Sequence, residues 1–372
     1  MNLTFNYNPL SDLINKIESG LRLNRDDGIR LMQSTDILTL GYLADIVRKR
    51  KVGDNAYFSS NININPTNIC IARCPLCAFS KDASDPDAYT LTLKEIENKV
   101  KSVAQYGLIE IHIVGGMHPS LPLTFYLEML QRVKQINPQY CIQGFTAVEI
   151  DYLASLEKLS VKEVLIQLQK AGLDSIPGGG AEIFSLRVRQ QICPKKISGT
   201  RWLEIHETAH QLGIKTNATM LYGHIETIEE RIDHMLALRE VQDKTQGFQC
   251  FVPLAFHPEH TKFKGLKNTT GYDDLKVIAV SRILLDNFEH IKALWMYLGP
   301  KITQTALCFG ADDLGGTSVE EKIVHAAGAK VPQYLDKPGL IKLIEDAGRV
   351  PIETDSLYQD KPVNERTKER KN

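Results

Sequence analysis

The 372-residue chain reads as an α/β protein, a (β/α)8 TIM-type barrel behind a helical N-terminal extension. Three observations lead there. Short apolar runs alternate with longer amphipathic stretches, the pattern of βα units around a parallel sheet. Glycine-rich and polar clusters fall directly after those runs, where a barrel gathers its functional groups. No internal repeat breaks the pattern, which argues against solenoids and propellers.

Residues 1–55 are expected as the helical extension, 56–350 as the barrel, and 351–372 as a polar, partly disordered C-terminal tail. Eight strands are expected, at 61–64, 109–114, 140–146, 173–176, 214–221, 248–256, 292–297 and 305–310. Helical periodicity fills 122–136, 161–171 and 199–212. Thr227 with Glu230, and Ser318 with Glu321, match the S/T-x-x-E capping box ahead of apolar-periodic runs. The cysteine-rich "NICIARCPLC" follows the first strand, "GGMHP" the second, "TAVEI" the third, "IPGGGAEI" the fourth and "YGHIET" the fifth.

Lysine and arginine total 44 against 45 acidic residues, a net charge of -1, with no long block of one sign before the extreme C-terminus. That balance argues against a nucleic-acid footprint or a membrane-binding patch. No cationic leader precedes an apolar stretch and no run is apolar enough to span a bilayer, so a cytoplasmic protein is expected. In that reducing compartment an odd seven cysteines point to metal binding or chemistry rather than disulfides.

Cys70, Cys74 and Cys77 form C-x3-C-x2-C. A structural zinc site wants four ligands, commonly two C-x2-C pairs. Here Cys141, Cys193, Cys250 and Cys308 are each isolated. A short loop can instead wrap three thiolates around three corners of a cubane and leave one iron open to a small molecule. A zinc site, or no site, is the alternative.

This cysteine spacing after the first barrel strand resembles the signature of the radical S-adenosylmethionine superfamily. The resemblance implies a 4Fe-4S cluster on Cys70, Cys74 and Cys77, with S-adenosylmethionine as cosubstrate on the open iron. It also implies reductive cleavage to a 5'-deoxyadenosyl radical, an external electron donor such as flavodoxin or ferredoxin, and a small-molecule substrate; it allows a homodimer. Leu76 departs from the family, which usually has an aromatic just before the third cysteine. Leucine keeps an apolar wall beside adenine but loses stacking.

From about residue 20 to 358, "NPTNICIARCPLCAF", "IHIVGGMHP", "FTAVEID", "AGLDSIPGGGAEIF", "ICPKKISG", "TNATMLYGHIET" and "PLAFHPEHT" resemble the futalosine-pathway branch of menaquinone biosynthesis. "AEIF", "ICPKKIS" and "FHPEHT" are most similar to the aminofutalosine synthases. That likeness implies a transferase adding the adenosyl radical to the enol-ether carbon of 3-[(1-carboxyvinyl)oxy]benzoate. The product is 6-amino-6-deoxyfutalosine, formed with aryl migration and loss of the carboxylate carbon. Dehypoxanthine futalosine cyclase and the deazaflavin synthases are the related alternatives.

The remaining candidates weigh function against plain structure. Gly115 and Gly116 read as a turn, or, by the resemblance, as backbone opened to the methionine ammonium. His118 is a candidate substrate contact. Gly178, Gly179 and Glu182 lie in a loop lacking the lysine and hydroxyl of a P-loop, and are expected at the ligand pocket. Glu149 could accept from the ammonium or ribose hydroxyls, or start a helix in solvent. Alternation places Asn217 and Thr219 on one face of their strand, where polar groups inside a barrel bind something. Tyr222, His224 and Glu226 are expected at the rim, with Tyr222, His224 and Glu182 assigned to catalysis and His224 preferred for proton transfer. Arg189, Arg231 and Arg282 are possible anion partners, with ordinary surface arginines the plainer reading.

"HETAH", His206 to His210, matches the zinc-protease pattern H-E-x-x-H. A metzincin has a third histidine where Thr216 stands, which leaves Glu229 or Glu230 as third ligand. Trp202, Ile205 and Ala209 mark the core-facing side of the helix, and His206 shares it. A zinc metallohydrolase is therefore the remote alternative, and a non-enzymatic cluster carrier another.

Overall fold

The computed structural model describes residues 10–359. Its strands are β1 (Asn55–Ser59), β2 (Asn61–Ile64), β3 (Glu110–Ile113), β4 (Cys141–Gly144), β5 (Ser175–Ile176), β6 (Lys215–Tyr222), β7 (Phe248–Ala255), β8 (His290–Ile291), β9 (Asp313–Gly316) and β10 (Val350–Glu353). Strands β2 to β8 pair in chain order as one curled, seven-stranded parallel sheet. Helices between them cover the outer face, as right-handed βα crossovers require.

The eighth stave is not the one expected. Segment 312–319 lies between β8 and β2, bridging Lys292 to Asp313 on one side and Ile62 to Val319 on the other. Ala293 N–H donates to Asp313 O at 2.7 Å, and Asn63 N–H to Val319 O at 2.8 Å. The same segment carries β9, which joins β1 and β10 in a separate three-stranded parallel sheet. A small second core around Phe58, Trp295, Leu314 and Leu340 packs there.

Six of the eight expected strands coincide with β2 to β7. The second half of the run 292–297 instead opens the short helix Trp295–Leu298, and β8 precedes the run. The run 305–310 ends a helix that Pro300 starts at its first position, and then turns at Gly310 with φ +95°. Short apolar runs carry no periodicity that separates a strand from a buried helical turn.

Helices α1 (Ser11–Glu18), α2 (Arg25–Gln33) and α3 (Ile37–Val52) form the expected extension. They pack outside the barrel, α2 on Ile228–Thr245 and α3 on Gly271–Leu284. The chain beyond 350, expected as tail, contributes β10 and continues to Gln359; the rest of that tail lies outside the described residues.

The Thr227–Glu230 capping box is present. Ser318 and Glu321 do not form one. Ser318 takes φ +52° and donates to Gly316 O, while Glu321 accepts from Ile323 and Val324 N–H.

Candidate active site

A cavity of about 350 Å³ runs down the barrel axis, and Cys70, Cys74 and Cys77 all line it. They sit on the loop after β2, held by Cys70 N–H on Lys81 O at 3.0 Å and Cys77 N–H on Cys74 O at 2.9 Å. That loop lies against the turn after β3 so closely that a Cβ on Gly116 would stand 2.2 Å from Ile69 O. Only glycine fits there. A larger hollow of about 830 Å³, between helices Leu93–Val103 and Leu123–Ile136, is an open trough lined by Glu97, Lys101, Glu128 and Arg132 and holds no candidate residue.

Three cysteines within eight residues of one loop are a donor set that a cluster can use. A lone zinc needs its thiolates within about 2.3 Å of itself, whereas a cubane takes each at a separate corner. All three cysteines are free thiols. Burial pushes the Cys74 thiol up to about 12, with the Lys196 charge pulling the other way, so an electropositive group is needed to hold a thiolate there. Two cavity-lining side-chain oxygens, Asn65 Oδ1 and Asn217 Oδ1, are buried without a hydrogen-bond partner among the described residues and await a donor.

Gly115, Glu149, Gly178, Gly179, Glu182, Asn217 and Thr219 also line this cavity. Glu149 is not a solvated helix start. It closes a capping box with Thr146 and accepts Gly115 N–H at 3.0 Å. It lies deep among protein atoms while part of its surface opens to the cavity, and burial raises it to about 7 against the pull of those donors. Gly178 packs on β6, where a Cβ would meet the backbone of Ala218 and Thr219 at 2.7 Å. Thr219 Oγ1 donates to Gly178 O at 2.6 Å. Glu182 pairs with Lys196 at 2.5 Å; burial works against its charge, but the lysine outweighs it and holds the carboxyl below its usual value.

Four expected site residues lie elsewhere. His118 Nδ1 accepts Ser120 and Leu121 N–H at 3.1 Å, capping a turn outside the cavity. Tyr222 faces the outer core and donates to Asp274 Oδ1 at 2.8 Å. His224 is walled in, its Nε2 on Leu221 O at 3.0 Å and its Nδ1 2.8 Å from Glu226. Glu226 accepts Gly223 N–H at 2.6 Å and pairs with Arg231; these donors and His224 overcome burial and hold it down at about 2. This corrects the rim assignment: His224 and Glu226 stabilise the turn after β6, and Tyr222 ties β6 to the helix Gly271–Leu284.

The three arginines are not anion sites. Arg189 is buried and donates to Ala181 O at 2.6 Å, Arg282 is buried on Asp312, and Arg231 is spent on Glu226. The HETAH histidines bind no metal geometry either: His206 Nδ1 and His210 Nε2 each sit 2.8 Å from the Thr216 hydroxyl.

Further lining residues escaped the sequence reading, among them Asn61, Asn63, Asn65, Glu110, His112, Gln143, Lys196 and Lys292. Register sets Asn61 beside Glu110 and Asn63 beside His112, all pointing inward, with Ile62, Ile64, Ile111 and Ile113 outward in the core. The period-two run "NININ" carried that signal. Lys196 and Lys292 come from loops without periodicity.

A curled parallel sheet with a three-cysteine loop after its first strand, opening on a deep cavity, defines a TIM-type barrel with a cysteine site at its mouth. The pattern of the Radical SAM superfamily matches residues 64–238, and that of the CofH/MqnC C-terminal region residues 245–367. An aminodeoxyfutalosine synthase of Thermus thermophilus is 46% identical, covering 96% of this chain and 97% of its own. A 5-amino-6-(D-ribitylamino)uracil–L-tyrosine 4-hydroxyphenyl transferase of Methanothermobacter thermautotrophicus is 40% identical, covering 91% and 94%. Methylornithine synthase (PylB) shares the fold at TM-score 0.73 and 18% identity, covering 93% of this chain and 98% of its own. The chain belongs to the radical SAM superfamily and is an enzyme of the group that contains the aminodeoxyfutalosine synthases.

Proposed function

We propose that the chain joins the 5'-deoxyadenosyl group of S-adenosylmethionine to the enol-ether carbon of 3-[(1-carboxyvinyl)oxy]benzoate. The product is 6-amino-6-deoxyfutalosine, formed with loss of the carboxylate carbon, in menaquinone biosynthesis. The observation that carries this reading is a single cavity running from the cysteine loop to the foot of β3. Adenosyl donor and acceptor must share one chamber if the adenosyl group is to end in the product.

Cys70, Cys74 and Cys77 would hold a 4Fe-4S cluster that, with a donor such as flavodoxin or ferredoxin, would supply the electron for cleavage of the sulfonium. The chain's own residues bind and enclose. Asn65 and Asn217 offer their unpartnered oxygens to ligand N–H or O–H groups. Glu149 fixes the Gly115 turn and faces the same space. Leu76, Met117, Val252, Leu254 and Phe256 give apolar walls that keep water from a radical. The 46% identity to an aminodeoxyfutalosine synthase supports the same reading.

One anaerobic turnover with the vinyl-ether benzoate, followed by mass spectrometry, tests it. The adenosyl group is expected in the adduct; free 5'-deoxyadenosine without adduct overturns the proposal. The 40% relative favours a second reading, in which tyrosine and 5-amino-6-(D-ribitylamino)uracil are the substrates; the same assay with that pair tests it directly.

A further inference from the structure

The far end of the cavity from the cysteines is polar and, among the described residues, contains one cation, Lys292. Register places it low in the barrel. It follows β8, whose Ile291 pairs with Phe251 in the first half of β7, and its ammonium is near Glu110, the first residue of β3. The cysteines follow the opposite, C-terminal end of β2. Lys292 is enclosed by protein, yet 16% of its side chain stays open, and it lines the cavity.

A buried ammonium needs compensation, and Asp313 stands 3.2 Å away. That carboxylate is already well supplied: it accepts Gly315 N–H at 2.6 Å and the Tyr358 hydroxyl at 2.5 Å. The ammonium has three donors, and Asp313 is its ion partner among the described residues. The other carboxyl beside it, Glu110, is turned to Ser356, whose N–H donates at 2.6 Å and whose hydroxyl donates as well. His112 is engaged by Gln143 at 3.1 Å.

Ser356 and Tyr358 therefore close the barrel floor from the chain's C-terminal segment. Tyr358 stacks flat on His290, centroids 3.7 Å apart, and its ring lies under Lys292 at 5.8 Å. Each acid around Lys292 is tied back by one of these two residues, leaving ammonium N–H groups for the cavity.

We propose that Lys292 binds the benzoate carboxylate of the organic substrate, and that Ser356 and Tyr358 position it from below. This rests on the proposed function. The enol-ether end, which reacts and loses its carboxylate carbon, must lie near the cysteine loop. The carboxylate that survives is then at the opposite end, where Lys292 is.

The test uses anaerobic holoenzyme with 3-[(1-carboxyvinyl)oxy]benzoate and its benzoate methyl ester. Losing a charge-assisted hydrogen bond raises KM by about 10- to 100-fold. Lys292→Gln is expected to show that rise for the free acid, with cluster absorbance and the KM for S-adenosylmethionine unchanged, and no further loss with the ester. Tyr358→Phe is expected to give a smaller rise in the same KM. Should Lys292→Gln fail to fold, the wild type answers alone, because the ester must bind about 10- to 100-fold more weakly than the acid. An ester that binds as well as the acid, or an unchanged KM in folded Lys292→Gln, overturns the role of Lys292 while conversion by the wild type leaves the proposed function standing. A wild type that converts no benzoate overturns both.

Discussion

The main-chain N–H of Gly115 donates to the Glu149 carboxylate at 3.0 Å, tying the turn after β3 to the first helical turn after β4. The same carboxylate takes the N–H and hydroxyl of Thr146, each at 2.8 Å. Two adjacent βα loops at the cavity mouth are thus held by one acid whose burial raises it to about 7.

That raised value has a signed consequence. Between the ordinary 4.5 and about 7 the folded protein holds a proton that the unfolded chain has lost. This contribution to stability is fully present below 4.5 and disappears as the pH rises through about 7. Glu149→Gln removes it. Denaturation curves collected across that range are expected to show the wild type losing stability relative to the variant as pH rises. Parallel pH profiles for the two proteins would show that Glu149 titrates normally.

Gly116 has no room for a side chain, because its Cβ would fall 2.2 Å from Ile69 O and 3.0 Å from Cys70 Cβ. Backbone cannot yield as a flexible side chain does, so Gly116→Ala must push the cysteine loop outward. Iron and sulfide incorporation, read by absorbance after anaerobic reconstitution, is expected to fall with the loss of Cys70 geometry. Gly265→Ala is the control, since nothing lies within 4 Å of its Cβ. Equal cluster loading in both variants would mean that the loop tolerates the shift.

The sequence makes these loops legible because cysteine spacing and strand-end glycines are local signals. Strands β2 to β7 were legible for the same reason, each being an apolar run with turns at its ends. The eighth stave was not: "DDLGGTSV" carries two aspartates and two glycines, and its place depends on Asn61, Ile62 and Lys292 far away in sequence. The error at Tyr222 was one of parity, whereas His224 lies past the end of β6, in a turn where alternation no longer operates. Asn217, Thr219 and Leu221 face the cavity, so Ala218, Met220 and Tyr222 face the outer core, and an alternation carried two residues further predicts this. "NININ" was legible by that rule as well.

Parity separates two substitutions on β6. Tyr222→Phe removes a buried hydroxyl that donates to Asp274 at 2.8 Å; it is expected to cost about 1–3 kcal/mol in urea unfolding with kcat/KM unchanged. Asn217→Ala removes an oxygen that has no partner among the described residues. It is expected to leave stability intact and weaken ligand binding by about tenfold. Activity lost in Tyr222→Phe with full stability would return that phenol to the catalytic machinery.

The HETAH helix makes the last prediction, because its resemblance to a zinc site is what the fold explains away. The Thr216 hydroxyl sits 2.8 Å from both His206 Nδ1 and His210 Nε2, donating to one ring and accepting from the other. Trp202 stacks on His206 at 3.7 Å, and burial pushes His206 well below its usual value and His210 down to about 4. Both imidazoles are therefore neutral core groups. Their contribution to stability is complete above 6.5 and is lost as the pH falls toward about 4, where the unfolded chain gains protons that the folded one resists. Thr216→Val strands one nitrogen of each ring on that side. It is expected to lower the urea midpoint by the equivalent of about 1–3 kcal/mol at an unchanged m-value, with the iron content of the holoenzyme unaltered. Stoichiometric zinc in the wild type that Thr216→Val or His210→Gln released would identify a metal site there.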